Sequence, residues 1–154
     1  MTTYYVDTSA LVKRYVDEVG CGWLRAALNI QPRPVILVVH LVIVELTSAL
    51  ARRRREGALA SVEYTLVQNA FRADCINDYE LITAVGPLID HATHLLERHA
   101  LRAYDAIHLG AALSANERLV INNLPPLTFL SADQRLNDVA LKEGLTVDNP
   151  NHHP

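Results

Sequence analysis

Four acidic side chains stand where an acid is costly: Asp7, Glu45, Asp105 and Asp133. Asp7 follows the apolar residues 4–6, and Asp133 follows the apolar run 127–130. Glu45 lies inside HLVIVELTSAL and Asp105 inside LRAYDAIHLGAAL, each with apolar neighbours on both sides. Burying one unpaired carboxylate is expensive, and grouping several adds mutual repulsion. A hard divalent cation removes both costs, and an all-oxygen donor set selects Mg2+ or Mn2+ over softer metals. The chemistry suggested is therefore a shared metal site. Each acid also has a plainer reading. Asp7 and Asp133 can cap the helices that follow them, Asp105 can cap or end its own helix, and Glu45 can pair with Arg52 two turns along one face. On the residues alone both readings stand.

Bringing these acids together falls to the elements around them. Residues 3–6 are short and rich in β-formers, which predicts a strand. Thr8 or Ser9 can cap a helix running to about Val16, and residues 23–28 form a second short helix after Gly20 and Gly22. Residues 35–39 are continuously apolar, as in a strand buried on both faces. Val42, Leu46, Ala49 and Leu50 recur at helical spacing until Gly57, and Leu59, Val62, Leu66 and Ala70 stripe a helix over 58–73. A strand is expected at 81–85 and a helix opening at Gly86 and Pro87, with Leu88, Ala92, Leu95 and Leu96 on its apolar face. A helix over 103–113, a strand over 127–130, a helix over 133–142 and an edge strand over 145–147 complete the series. This alternation predicts an α/β fold: a three-layer α/β/α domain on a mostly parallel sheet of about five short strands. Ligands bind at the carboxyl ends of such strands, so Asp7 and Asp133 share one edge. The domain is expected over residues 1–148, with 149–154, including His152 and His153, as a flexible tail.

Four segments taken in order carry a resemblance: VDTSALVKRY (6–15), VIVELTSAL (42–50), RAYDAIHLGAAL (102–113) and TFLSADQRLNDVALKEGL (128–145). Together they resemble the acidic motifs of PIN-domain nucleases, above all the VapC-type ribonuclease toxins of prokaryotic toxin–antitoxin pairs, over nearly the whole chain. The resemblance implies a parallel sheet with helices on both faces, an acidic cluster binding Mg2+ or Mn2+, and cleavage of single-stranded or structured RNA. Residue by residue, it places Asp7, Glu45, Asp105 and Asp133 in that cluster. Asp7 and Asp105 would ligate directly, and Glu45 and Asp133 through water or on a second ion. Ser9 and Ser131 would be supporting hydroxyls, Ser9 orienting a ligand or a phosphate near a helix N-terminus. Water activated by the cation would attack phosphorus in line and leave 5′-phosphate and 3′-hydroxyl ends. The family resemblance also implies a homodimer held inactive by a small antitoxin whose tail enters the acidic groove.

Bulk charge neither supports nor opposes this. The 154 residues, one domain's worth, carry 17 acids and 14 bases for a net charge of −3. That is not the basic footprint of a nucleic-acid binder, yet with the four clustered acids set aside the remainder is slightly basic. The bases are twelve Arg and two Lys, so a phosphate-binding surface would be an arginine surface. Arg52 to Arg55 span a helix circumference and cannot all face one ligand. They suit a solvated helix C-terminus, with Arg52 and Arg55 as the RNA-contact candidates alongside Lys13 and Arg14. His108 reads as a packed, hydrogen-bonded histidine rather than a metal ligand or general base. Tyr104 reads as packed, and His91, His94 and His99 as surface residues. Cys21 and Cys75 read as reduced thiols. With no signal peptide pattern and no apolar run long enough to cross a bilayer, a cytoplasmic location is expected. An aspartyl-phosphate phosphohydrolase would need an acid two residues after Asp7, where Ser9 stands. A PIN nuclease of RNA processing without an antitoxin, and a non-catalytic RNA- or protein-binding PIN-like module, stay open.

Overall fold

A computed structural model describes all residues 1–154. Its five strands are β1 (Thr3–Val6), β2 (Val35–Val39), β3 (Tyr79–Ile82), β4 (Thr128–Leu130) and β5 (Thr146–Asp148). They lie in the order β3-β2-β1-β4-β5, and every pairing is parallel. Seven α-helices cover them: α1 (Thr8–Tyr15), α2 (Cys21–Leu28), α3 (Val42–Arg55), α4 (Ser61–Asn77), α5 (Gly86–Arg98), α6 (Ala103–Ile121) and α7 (Gln134–Lys142).

Three layers follow from strand periodicity, because successive side chains point to opposite faces. Tyr5, Leu37, Val39 and Phe129 meet α5, α6 and α7 on one face, in a core of 15 buried residues. Val6, Ile36, Val38 and Leu130 meet α1, α2, α3 and α4 on the other, in a second core of 15. Both cores are mainly aliphatic, as a chain with 6% aromatic residues requires.

The chain steps outward from β1 to β2 to β3, then returns through α5 and α6 on the other face to β4, beside β1. The direction of winding thus reverses between β1 and β4. At such a switch point the connections leave to opposite faces and open a crevice at the carboxyl ends of the strands. Asp7 and the loop 131–133 occupy that edge. The Asp7 backbone N–H donates to the Leu130 carbonyl at 3.0 Å, which joins the two strand ends.

Several expectations are corrected. The cap of α1 is Asp7 itself, whose side chain accepts from the Ala10 N–H, rather than Thr8 or Ser9. The third strand starts at Tyr79, two residues early, because its pairing with β2 begins opposite Ile36. Helix α6 runs on to Ile121, since nothing breaks it before Asn123 takes a φ of 57°. On α4, Phe71 faces the core, so Val62 and Leu66 are 72% and 64% exposed instead of buried. The tail 149–154 is docked rather than free. Pro150 is buried in a 3-10 turn, Pro150–His152, and His153 stacks on Trp23 with ring centroids 4.1 Å apart. His153 also reaches Asp148 at 2.8 Å, and the Asn149 amide reaches Gln134.

Gly20 makes that docking possible. It sits at φ +81°, and a Cβ there would lie 2.1 Å from the Pro150 carbonyl oxygen. Gly20→Ala is expected to lower Tm by about 4–8 °C, the equivalent of roughly 2 kcal/mol. It should also red-shift the emission of Trp23, the single tryptophan, as the tail lifts away. An unchanged melt and spectrum would contradict the docked tail.

Candidate active site

Asp7 is 4% exposed, at the end of β1. Its Oδ1 accepts from the Ser9 hydroxyl at 2.7 Å and the Ala10 N–H at 3.1 Å. Its Oδ2 accepts from the Ser131 hydroxyl at 2.9 Å. The two hydroxyls then hold the facing loop: Ser9 Oγ accepts from the Ala132 N–H at 2.9 Å, and Ser131 Oγ from the Asp133 N–H at 3.1 Å. Asn137, buried on α7, donates to the Ser131 carbonyl at 2.8 Å. Asp133 Oδ1 accepts from the Arg135 and Leu136 N–H groups and caps α7. The cap and cluster readings of Asp7 and Asp133 are therefore compatible.

Asp105 and Glu45 enter from the first turns of α6 and α3. Burial pushes the Asp105 carboxyl up, the charges of Asp7 and Asp133 push it further, and Arg102 offsets only part. Glu45 Oε1 lies 2.6 Å from His108 Nε2, so Glu45 pairs with His108 rather than Arg52. His108 is 2% exposed. Its Nδ1 lies 3.0 Å from the Tyr5 hydroxyl, and Thr8 Oγ1 lies 3.4 Å from Nε2. Burial pulls the His108 imidazolium down, but the hydrogen bond to Glu45 and the charges of Asp7, Glu45 and Asp105 outweigh it, and the net shift is upward. Asp105 thus feels Asp7 and Asp133, and His108 feels Asp7, Glu45 and Asp105.

No three Asp, Glu, His or Cys side chains are already drawn into a ligand shell. Unneutralised carboxylates turn to local donors, as Asp133 does to its helix and Glu45 to His108. Each keeps one oxygen with no hydrogen bond, Asp133 Oδ2 and Glu45 Oε2. The acidic side chains here offer oxygen donors, and the repulsion at Asp105 is only partly relieved by Arg102, which fits a hard divalent cation. A separate groove of about 430 Å³ under α6, lined by residues such as Val35, Leu37, Ala115 and Leu119, contains none of the four acids.

The basic candidates divide. Lys13 is 5% exposed, with Nζ on Glu18 at 3.1 Å and on the Val19 carbonyl at 2.9 Å. Arg14 is tied to Asp78 at 2.8 Å and Asp74 at 3.4 Å, beside the Tyr79 ring. Both residues are committed to internal ion pairs because α1 is packed among α2, α3 and α4, so neither is available for RNA. Arg53 pairs with Glu18, and Arg54 lies over the Tyr64 ring. Arg52 and Arg55 are exposed and carry no ion pair, and Arg52 lies two turns beyond Glu45 on the same face. Tyr104, expected to pack, is 52% exposed next to Asp105. His99, expected at the surface, is paired with Glu143 at 2.5 Å. The sequence reading missed Tyr5, Asn137 and Arg102. Only Asn137 left a signal, as a polar residue beside the apolar stripe of Leu136 and Ala140.

The PIN domain family profile matches residues 4–142. A similar curated protein is Ribonuclease VapC45 of Mycobacterium tuberculosis, 30% identical, with 96% of this chain and 95% of that protein covered. Two similar solved structures are also from Mycobacterium tuberculosis. VapC20, described as a Sarcin-Ricin loop cleaving toxin, has TM-score 0.60 and 16% identity, covering 88% of this chain and 93% of that one. VapBC-5, a member of the VapBC family of toxin-antitoxin systems, has TM-score 0.54 and 16% identity, covering 97% and 98%.

The strained acid gives a stability test. Because the folded Asp105 carboxyl titrates above its ordinary 3.8, its ionised form opposes folding at neutral pH, and the opposition fades as pH falls below that range. Metal-free Asp105→Asn is expected to melt about 1–3 °C above the parent protein at pH 7, with the gap narrowing toward pH 4. A variant melting at or below the parent at pH 7 would contradict the crowding of these charges.

Proposed function

This chain belongs to the PIN-domain family, and on that premise we propose that it is a metal-dependent endoribonuclease, hydrolysing RNA phosphodiester bonds as the toxin of a toxin–antitoxin pair. The observation that carries the reading is that Asp7 and Asp133, linked through Ser9 and Ser131 at the β1/β4 switch point, lie near enough to Asp105 that burial and then their two charges push its carboxyl up. The ribonuclease and toxin descriptions of the similar proteins point the same way.

Asp7 and Asp105 would hold Mg2+ or Mn2+ directly, with Glu45 and Asp133 acting through water or on a second ion. The bound cation would supply Lewis acidity at a phosphate oxygen and lower the pKa of water beside it. The chain's own side chains do the rest. Ser9 and Ser131 fix the Asp7 carboxylate, which sets where the substrate phosphate must sit. Arg52 and Arg55 lie free on the outgoing face of α3 to receive flanking RNA phosphates. Exposed Tyr104 offers a ring on which a base can stack.

The assembly we propose is a homodimer in the cytoplasm, silenced by a small antitoxin. The exposed apolar residues Val62, Leu66 and Ile76 on α4 support a protein partner, and no helix is long and apolar enough to cross a membrane.

Purified protein is expected to cleave RNA with Mg2+ or Mn2+ and to stop in EDTA. Asp7→Asn should lose about 100-fold or more of that activity, on the scale of removing a direct metal contact. Full cleavage in EDTA, or by Asp7→Asn, would defeat the proposal. Changing Arg52 and Arg55 together to Ala should flatten the log–log salt slope of single-stranded RNA binding by about 1.4, two phosphate contacts' worth. An unchanged slope would remove them from the RNA surface.

A further inference from the structure

We propose that His108 is a positioning residue that fixes the Glu45 carboxylate within the acidic crevice, a role that rests on reading the crevice as a metal site. The four acids are not held equally. Asp7 is gripped by two hydroxyls and a backbone N–H, and Asp133 by two N–H groups of α7. Asp105 has the backbone N–H and the charge of Arg102 nearby, and its short side chain has one rotatable bond fewer than that of Glu45. Glu45 has three rotatable bonds, 19% side-chain exposure and one hydrogen-bond partner, His108. Without that partner its carboxylate is free to leave for solvent.

His108 is itself held from behind. Tyr5, fully buried, places its hydroxyl on Nδ1, meets the imidazole edge to face at 6.0 Å, and stacks on Phe129 at 5.6 Å. Glu45 accepts but does not donate when ionised, so Nε2 carries the hydrogen whether the ring is neutral or charged. In the neutral ring Nδ1 accepts from Tyr5, and in the cation it donates to Tyr5. The link is thus independent of the ring's titration. It also joins the elements that bear three of the acids. Tyr5 is two residues before Asp7, His108 is one turn after Asp105, and Glu45 is on α3. Occupying Oε1 leaves Oε2 as the oxygen that would help hold a cation, directly or through water.

The test is Mn2+ binding to the metal-free full chain, followed by calorimetry, with thermal melts to confirm folding. His108→Leu removes the donor and is expected to weaken Mn2+ about 10-fold or more, the usual effect of losing the group that orients a ligand. Glu45→Gln should weaken it similarly, and the double variant should be no weaker than Glu45→Gln alone. His108→Gln, whose Nε2 can reach the same place, should stay close to the parent. Tyr5→Phe keeps the ring and loses the anchor, so it should fall between the parent and His108→Leu. It carries the test if His108→Leu does not fold. Unchanged affinity in His108→Leu, or in Tyr5→Phe should it stand alone, would overturn the role. So would losses from His108→Leu and Glu45→Gln that multiply in the double variant. Parent protein that fails to bind Mn2+, or that binds it equally well as Asp7→Asn, would overturn the metal-site reading and this proposal with it. Parent binding that is lost in Asp7→Asn, with no His108–Glu45 coupling, overturns the proposal alone.

Discussion

The Asp7 carboxylate is buried between two segments 124 residues apart, where it accepts from Ser9 and Ala10 on one side and Ser131 on the other. A buried carboxylate is tolerated when several donors share its charge, and here those donors also close the fold. Through Ser9 and Ser131 the same charge fixes Ala132 and Asp133, and Asn137 locks Ser131 from the opposite side. Removing the charge would loosen the seam where β1 and β4 meet and where the winding direction reverses. The switch point is therefore both the weak line of the topology and the place where its polar bonds concentrate.

Holding four like charges at that seam requires a source of positive potential, and the architecture provides one. Asp7 caps α1, Asp133 caps α7, Glu45 lies in the first turn of α3 and Asp105 in the first turn of α6. Every acid of the cluster is thus at a helix N-terminus, where the helix dipole favours negative charge. This follows from the parallel sheet. β1, β2 and β4 each hand over at the crevice edge to a helix that begins there, α1, α3 and α7, while α6 follows α5 across the other face and brings the fourth N-terminus. The compensation is partial, as the raised Asp105 shows, and the remaining imbalance is what a divalent cation would take up.

Much of this was legible in the sequence because it is periodic or punctuated. The apolar runs at 35–39 and 127–130, the β-formers at 3–6 and the helical stripes pointed to the layers, and four acids in apolar settings marked the candidate site. What the sequence hid depends on contacts between distant segments. Arg14 looks free beside Asp7, but its partners Asp74 and Asp78 come from the C-terminal end of α4 and the residue that follows it. Val62 and Leu66 have core-like spacing, yet α4 turns Gln68 and Phe71 inward instead. The docked tail depends on one glycine backbone meeting Pro150. Tyr5 looked like an ordinary strand residue because its partner, His108, is 103 residues away.

The central claim is hydrolysis by water at a carboxylate-held cation, and the ends of the cut RNA report on it most directly. Mapping the termini of a defined RNA after cleavage with Mg2+ or Mn2+ should give 5′-phosphate and 3′-hydroxyl ends. Ends bearing 2′,3′-cyclic phosphate and 5′-hydroxyl would mean that the ribose 2′-hydroxyl, and not water, is the nucleophile, and would contradict hydrolysis at a carboxylate-held cation.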